Sequence, residues 1–115
     1  MIKSARIFLV GLFLSLPCSA AFAQLPPFQY SNITGQATTL IRTGNGVLHT
    51  ICFNKPVATE TVAIYDGVSN AGTLIGTITV PASPQPGCLL YDVAYGAGLT
   101  IVTATASSDI TVSYR

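Results

Sequence analysis

The sequence predicts an all-β protein: a single two-sheet antiparallel β-sandwich of about seven strands, immunoglobulin-like or jelly-roll in topology, preceded by a signal-peptide helix. Three observations predict it. Short segments rich in Val, Ile, Leu and Thr recur about every 10 to 15 residues, divided by clusters of Gly, Asn and Pro. Several of these segments alternate apolar and polar residues, the period of a strand with one face buried. No segment downstream of the first two dozen residues carries a helical period.

The N-terminus has the order of a secretory leader. Lys3 and Arg6 precede an uncharged apolar run from Ile7 to Leu16, and Ala21-Phe22-Ala23 supplies a small-x-small cleavage pattern before Gln24. The apolar run is shorter than the about 20 residues a helix needs to cross a bilayer, so cleavage leaves no stable membrane span. Cys18 offers a competing lipidation site, but Pro17 stands before it where such sites take a small, flexible residue. The reading is a signal peptide over residues 1–23, an extended N-terminal arm over 24–36 and a β-sandwich domain over 37–115, exported to the periplasm or the cell exterior.

After cleavage, Arg42, Lys55 and Arg115 stand against Glu60, Asp66, Asp92 and Asp109, a formal charge of −1. Nucleic acid is not an expected partner, because phosphate binding rests on clustered Lys and Arg that displace counterions. The low charge and high content of β-branched residues also exclude disorder. Cys18 leaves with the leader, so two cysteines remain, Cys52 and Cys88, in a compartment that permits a disulfide. A bridge between them closes a loop of about 37 residues and stabilises by roughly 3 to 4 kcal/mol in the chain-entropy model. The alternative is a pair of buried free thiols acting as small apolar side chains.

Pro26-Pro27 blocks a helix and favours polyproline II or an edge strand in the arm. Strands are then expected over residues 37–43 and 47–53, flanking Gly44-Asn45-Gly46, whose residues tolerate the positive φ of a hairpin turn. Residues 60–66 place Val62 and Ile64 on one face and Thr61, Ala63 and Tyr65 on the other. Residues 67–72 are a loop. In 73–80, Leu74, Ile78 and Val80 share a face opposite Thr73, Thr77 and Thr79. The proline-rich residues 81–87 are a stiff crossing between sheets. Strands 88–93, 99–104 and 110–114 complete the set, the last with Ile110, Val112 and Tyr114 inward. The absence of any Trp disfavours membership of the true immunoglobulin family.

No catalytic constellation is legible, and the chain is read as not an enzyme. His49 is the one histidine and sits in mid-strand without a nucleophile-elbow motif. Neither zinc-ligand spacing nor an ordered calcium loop is present; Asp66 and Asn70 share a loop and are assigned to turn chemistry, and no cofactor is implied. The four carboxylates near strand ends are read as solvated acids. Of the five tyrosines, Tyr65 and Tyr95 lie beside glycine-bearing loops and are the candidates for ligand contact, since tyrosine offers rigid amphipathic area. Asn32-Ile33-Thr34 matches a glycosylation sequon.

Four segments, Gly46-Val47-Leu48-His49-Thr50, Val62-Ala63-Ile64-Tyr65-Asp66, Tyr91-Asp92-Val93-Ala94-Tyr95-Gly96-Ala97-Gly98-Leu99 and Asp109-Ile110-Thr111-Val112-Ser113-Tyr114, together resemble small β-domains in virion proteins of tailed bacteriophages. The resemblance implies a decoration or tail-associated role without catalysis. The leader and the cysteine pair depart from that pattern, because virion parts assemble in a reducing cytoplasm. The function expected is a non-catalytic exported structural or interaction module, contacting protein or surface glycan and capable of self-association. The alternative is a secreted carbohydrate- or small-ligand-binding domain.

Overall fold

A computed structural model describes residues 27–115, so the expected signal peptide lies outside the described residues. Eight strands run in chain order: β1 (Gln29–Thr34), β2 (Ala37–Thr43), β3 (Gly46–Phe53), β4 (Thr61–Asp66), β5 (Thr73–Thr79), β6 (Gly87–Tyr95), β7 (Gly98–Thr103) and β8 (Asp109–Tyr114). They form two four-stranded antiparallel sheets, ordered β1-β8-β3-β6 and β2-β7-β4-β5. The expected sandwich is present. This strand order, with successive strands mostly alternating between sheets, is that of a jelly roll and not of an immunoglobulin domain.

The core lies between the sheets, as the alternation predicts. Leu48, Ile51, Phe53, Ile110 and Val112 project from the first sheet against Val62, Ile64, Leu99 and Ile101 of the second, and all are buried. Ile78, Tyr91 and Tyr114 close its margins. Within each strand these positions recur at every second residue, except across the shift at His49, because alternate side chains point to the inner and outer faces.

Three expectations need correction. The segment read as an arm takes its edge-strand option: β1, an addition to the seven strands expected, pairs with β8 along its whole length, so the sandwich begins at Gln29 and not at residue 37. Gly44-Asn45 is not a hairpin turn, because β2 and β3 belong to different sheets; it is an arch over the end of the sandwich. Gly44 does adopt the positive φ expected of it, +92°, and its N–H donates to the Ala97 carbonyl of the neighbouring arch. Leu74 faces outward, since a register shift between Ile64 and Tyr65 in the β4–β5 pair lets Ile75 turn to the core and pairs Leu74 with outward Tyr65. The hairpin of the fold is β4–β5, closed by residues 67–72. Residues 81–86 cross between sheets as expected.

Cys52 and Cys88 are register partners on β3 and β6 and are joined in a disulfide. Ile51 and Phe53 point inward on either side of Cys52, so the bridge lies on the outer surface of the first sheet and staples its edge strand β6 to β3.

Candidate functional site

The two outer faces of the sandwich differ in chemistry. On the second sheet the register aligns Leu40, Thr100, Tyr65 and Leu74 in one row across all four strands. The next row is Thr38, Val102, Ala63 and Thr77, followed by Thr61 beside Thr79. Among the described residues, no charged side chain occupies these positions. Leu40 and Leu74 are 47% and 52% exposed at the two edges, while Tyr65 is half-buried between them. Thr100 is covered and donates its hydroxyl to the Gly67 carbonyl at 2.8 Å, which ties the row to the β4–β5 loop. At a strand spacing of about 4.8 Å the row spans roughly 15 Å.

The outer face of the first sheet is polar and laced with its own hydrogen bonds. Asn32 Nδ2 donates to Asp109 Oδ1 and to the Ile110 carbonyl, each at 2.9 Å, and Asn54 Nδ2 donates to Asp109 Oδ1 at 3.1 Å and to Thr111 Oγ1 at 3.0 Å. The Asn32 and Asn54 amides hold the Asp109 carboxyl below the usual carboxylate range. At the opposite end of this face, both ladders of β3 shift register at His49, which turns His49 and Thr50 outward together. His49 Nδ1 lies 2.6 Å from Asp92 Oδ1 on β6. Asp92 has a φ of +49°, a left-handed conformation that costs a non-glycine residue about 1 kcal/mol or more. Phe28 stacks on the His49 ring with centroids 4.0 Å apart, and the Arg115 guanidinium covers the other face of Phe28 at 4.5 Å. The column Arg115, Phe28, His49 and Asp92 thereby joins both ends of the described chain to β3 and β6.

Tyr65 and Tyr95, the tyrosines singled out from sequence, are far apart in environment. Tyr65 stands in the outward row of the second sheet. Tyr95 is 2% exposed, with its hydroxyl donating to the Arg115 carbonyl at 3.5 Å, and burial raises its pKa above the ordinary phenol value. It is a core residue, so its ring is not a contact surface; Gly46 on β3 packs against its phenol end. Tyr30, which sequence reasoning passed over, is at 76% the most exposed large apolar side chain among the described residues. The signal available for it was the odd-even pattern of residues 29–34, in which Ile33 alone is apolar and buried.

Asp66 braces a different loop from the one whose turn chemistry was expected of it. Its carboxylate accepts backbone N–H bonds from Gly96 at 3.0 Å, Ala97 at 2.8 Å and Gly98 at 3.4 Å, bracing the β6–β7 arch. The Gly96 and Ala97 amides hold its pKa below 3.8. Glu60 is buried and accepts the Val57 N–H at 3.1 Å, closing the turn before β4. The four carboxylates are thus distributed over separate structural tasks. Among the described residues, no group of three or more His, Cys, Asp or Glu is placed to hold a metal ion.

Asp66 and Asp109 set the acid limit of the fold. A carboxyl whose folded pKa lies below its unfolded value of about 3.9 contributes stability that is present above that value and lost as pH falls through the folded pKa. The melting temperature, followed by circular dichroism from pH 7 to pH 2, is expected to hold down to about pH 4 and then fall. Asp66→Asn is expected to start lower at pH 7 and to flatten this acid limb, and a limb as steep as wild type contradicts the assignment.

A groove of about 380 Å³ opens at the edge between β5 and β6, lined by Phe53, Pro56, Ile78, Val80, Pro84 and Leu89 among others. It is apolar because β5 and β6 are edge strands of opposite sheets, and the connection through residues 81–86 bridges them without covering the gap. Comparison of the chain with protein-family models, with curated proteins and with solved structures returns no match.

Proposed function

We propose that this protein is a non-catalytic exported interaction module that associates through the outer face of its second sheet. The observation that carries the reading is the row Leu40, Thr100, Tyr65 and Leu74 on a face without a charged side chain among the described residues. A face that omits charged side chains and presents leucines around a tyrosine suits contact with another neutral surface. Sheet faces pack about 10 Å apart, so a second copy can lay its own row against this one. The disulfide supports the exported half of the reading, since such bridges persist in oxidising compartments.

Jelly rolls serve both viral capsids and lectins, so the fold by itself does not choose a role. The likeness of the strand and turn segments to virion β-domains agrees with assembly. The carbohydrate-binding alternative is weakened by the burial of Tyr95, which leaves Tyr65 without an aromatic partner.

The test is sedimentation velocity over a wide concentration range. Wild-type protein is expected to show reversible association, and Tyr65→Glu or Leu74→Glu to weaken it at least about tenfold, because a charge at the centre of an apolar contact is left unpaired. Leu74 is exposed and Tyr65 is half-buried on the outer face, away from the core, so circular dichroism is expected to be unchanged. Association equal to wild type in both variants sinks the assignment.

A further inference from the structure

We propose that β1 is an exchangeable strand, and that two copies of this chain form a dimer in which residues 28–34 of each pair with β8 of the other. The inference rests on a surface separate from the second-sheet face and stands or falls independently of it.

β1 is lightly embedded in the sandwich. It is an edge strand, held by a six-residue register with β8, and only Ile33 reaches the core. Its connection to β2 is short, Gly35 and Gln36, yet it passes from one sheet to the other. Gly35 sits at φ +87° in this bend. Everything else that β1 contributes is specific: Asn32 with Asp109, and Phe28 clasped between Arg115 and His49.

These contacts make the second copy the natural occupant. The surface left when β1 lifts away is the β8 edge, the Ile33 site and the slot between Arg115 and His49. The segment that fits all three is another β1, with the same register, the same amide bonds and the same aromatic ring. Exchange therefore restores the contacts of residues 28–34 between copies, and what must open is the two-residue bend, where the Gly35 N–H donates to the Ser108 carbonyl at 2.8 Å and the Gly35 carbonyl accepts from Thr103 Oγ1 at 2.6 Å. In the open form residues 35 and 36 extend, and Gly35 no longer needs its left-handed conformation.

The experiment labels half of the chains with heavy isotopes and uses the double variant Tyr30→Cys with Ser113→Cys, two register partners on the outer face. Light and heavy chains are unfolded with the native disulfide intact, refolded together at high concentration, oxidised and separated by size. In the dimer fraction, about half of the links between positions 30 and 113 are expected to join a light peptide to a heavy one, while the monomer fraction carries like-isotope links alone. Like-isotope links throughout, or no dimer fraction at any concentration, overturns the proposal.

A second variant needs no new cysteine. A Cβ on Gly35 meets nothing nearer than the Ala106 carbonyl oxygen at 3.6 Å, so Gly35→Ala leaves packing intact and strains only the closed bend. Exchange relieves that strain in both copies, and the dimerisation constant is expected to rise at least about tenfold. A constant equal to or below that of wild type overturns the proposal. Tyr65→Glu, which tests the second-sheet face, is expected to leave the mixed-isotope links in place, so the failure of either idea is read separately.

Discussion

Replacing Cys52 and Cys88 by serine is expected to destabilise the fold by about 3 to 4 kcal/mol, for a bridge whose ends lie 36 residues apart. A domain of this size has a total stability of roughly 5 to 13 kcal/mol, so the loss removes a large part of it. The effect is expected to exceed the general loop-closure estimate in one region. β6 is an edge strand with exposed Leu89 and Leu90, and it borders the open groove beside β5. Without the staple, β6 keeps its ladder to β3 but has no neighbour on its other side, and hydrogen exchange in residues 87–91 is expected to accelerate more than in β7. Guanidinium unfolding of the double serine variant measures the energy. A thiol titration of the purified protein beginning at Gln24, unfolded, checks the premise: its two thiols react only after reductant is added, and two reactive thiols without it contradict both the bridge and an oxidising destination.

Leu99→Ala is expected to cost about 3 to 5 kcal/mol, comparable with the loss of the disulfide. Leu99 is fully buried at the start of β7, a central strand of the second sheet, and stands in the β7 ladders opposite Arg42 on one side and Asp66 on the other. The sheets meet here beneath the arches of residues 44–45 and 96–97, which are themselves braced by the Gly44 N–H bond to Ala97 and by the Asp66 carboxylate. Neighbours fixed by so many backbone bonds have little freedom to close a cavity, which places the cost toward the upper part of the range. Val102→Ala, one layer outward on the same strand, is expected to cost less than about 1.5 kcal/mol because its side chain lies on the outer face. Similar losses at the two positions would mean that the inward and outward faces of β7 have been misassigned.

The period-2 pattern made most strands legible, because burial on one face is the force that selects it. Residues 60–66 and 110–114 follow their alternation residue by residue. β1 was legible only as the edge-strand option of the proline-led arm: Gln29–Thr34 offers one buried apolar side chain, and its register is set by the free edge of β8, which no local pattern announces. Gly44-Asn45 announced a reversal with positive φ, but a local signal of that kind does not state which sheet the next strand joins. The register shifts at His49 and at Ile64/Tyr65 lay beyond sequence reasoning for the same reason, and each moved side chains across a face. One of them created the candidate surface. Without it Leu74 would point toward the core, and Tyr65 would lack the leucine beside it. The pairing of His49 with Asp92, 43 residues apart, likewise depends on β3 and β6 being neighbours.

The claim that the second sheet's outer face is the contact surface is tested most directly by hydroxyl-radical footprinting, read by mass spectrometry on dilute and on associated protein. Leu40, Tyr65 and Leu74 are expected to lose reactivity together on association, while Leu90 and Val68, both exposed elsewhere, keep theirs. Unchanged reactivity at Leu40, Tyr65 and Leu74, with protection at Ile78 and Leu89 instead, would place the contact on the β5–β6 groove and contradict the account.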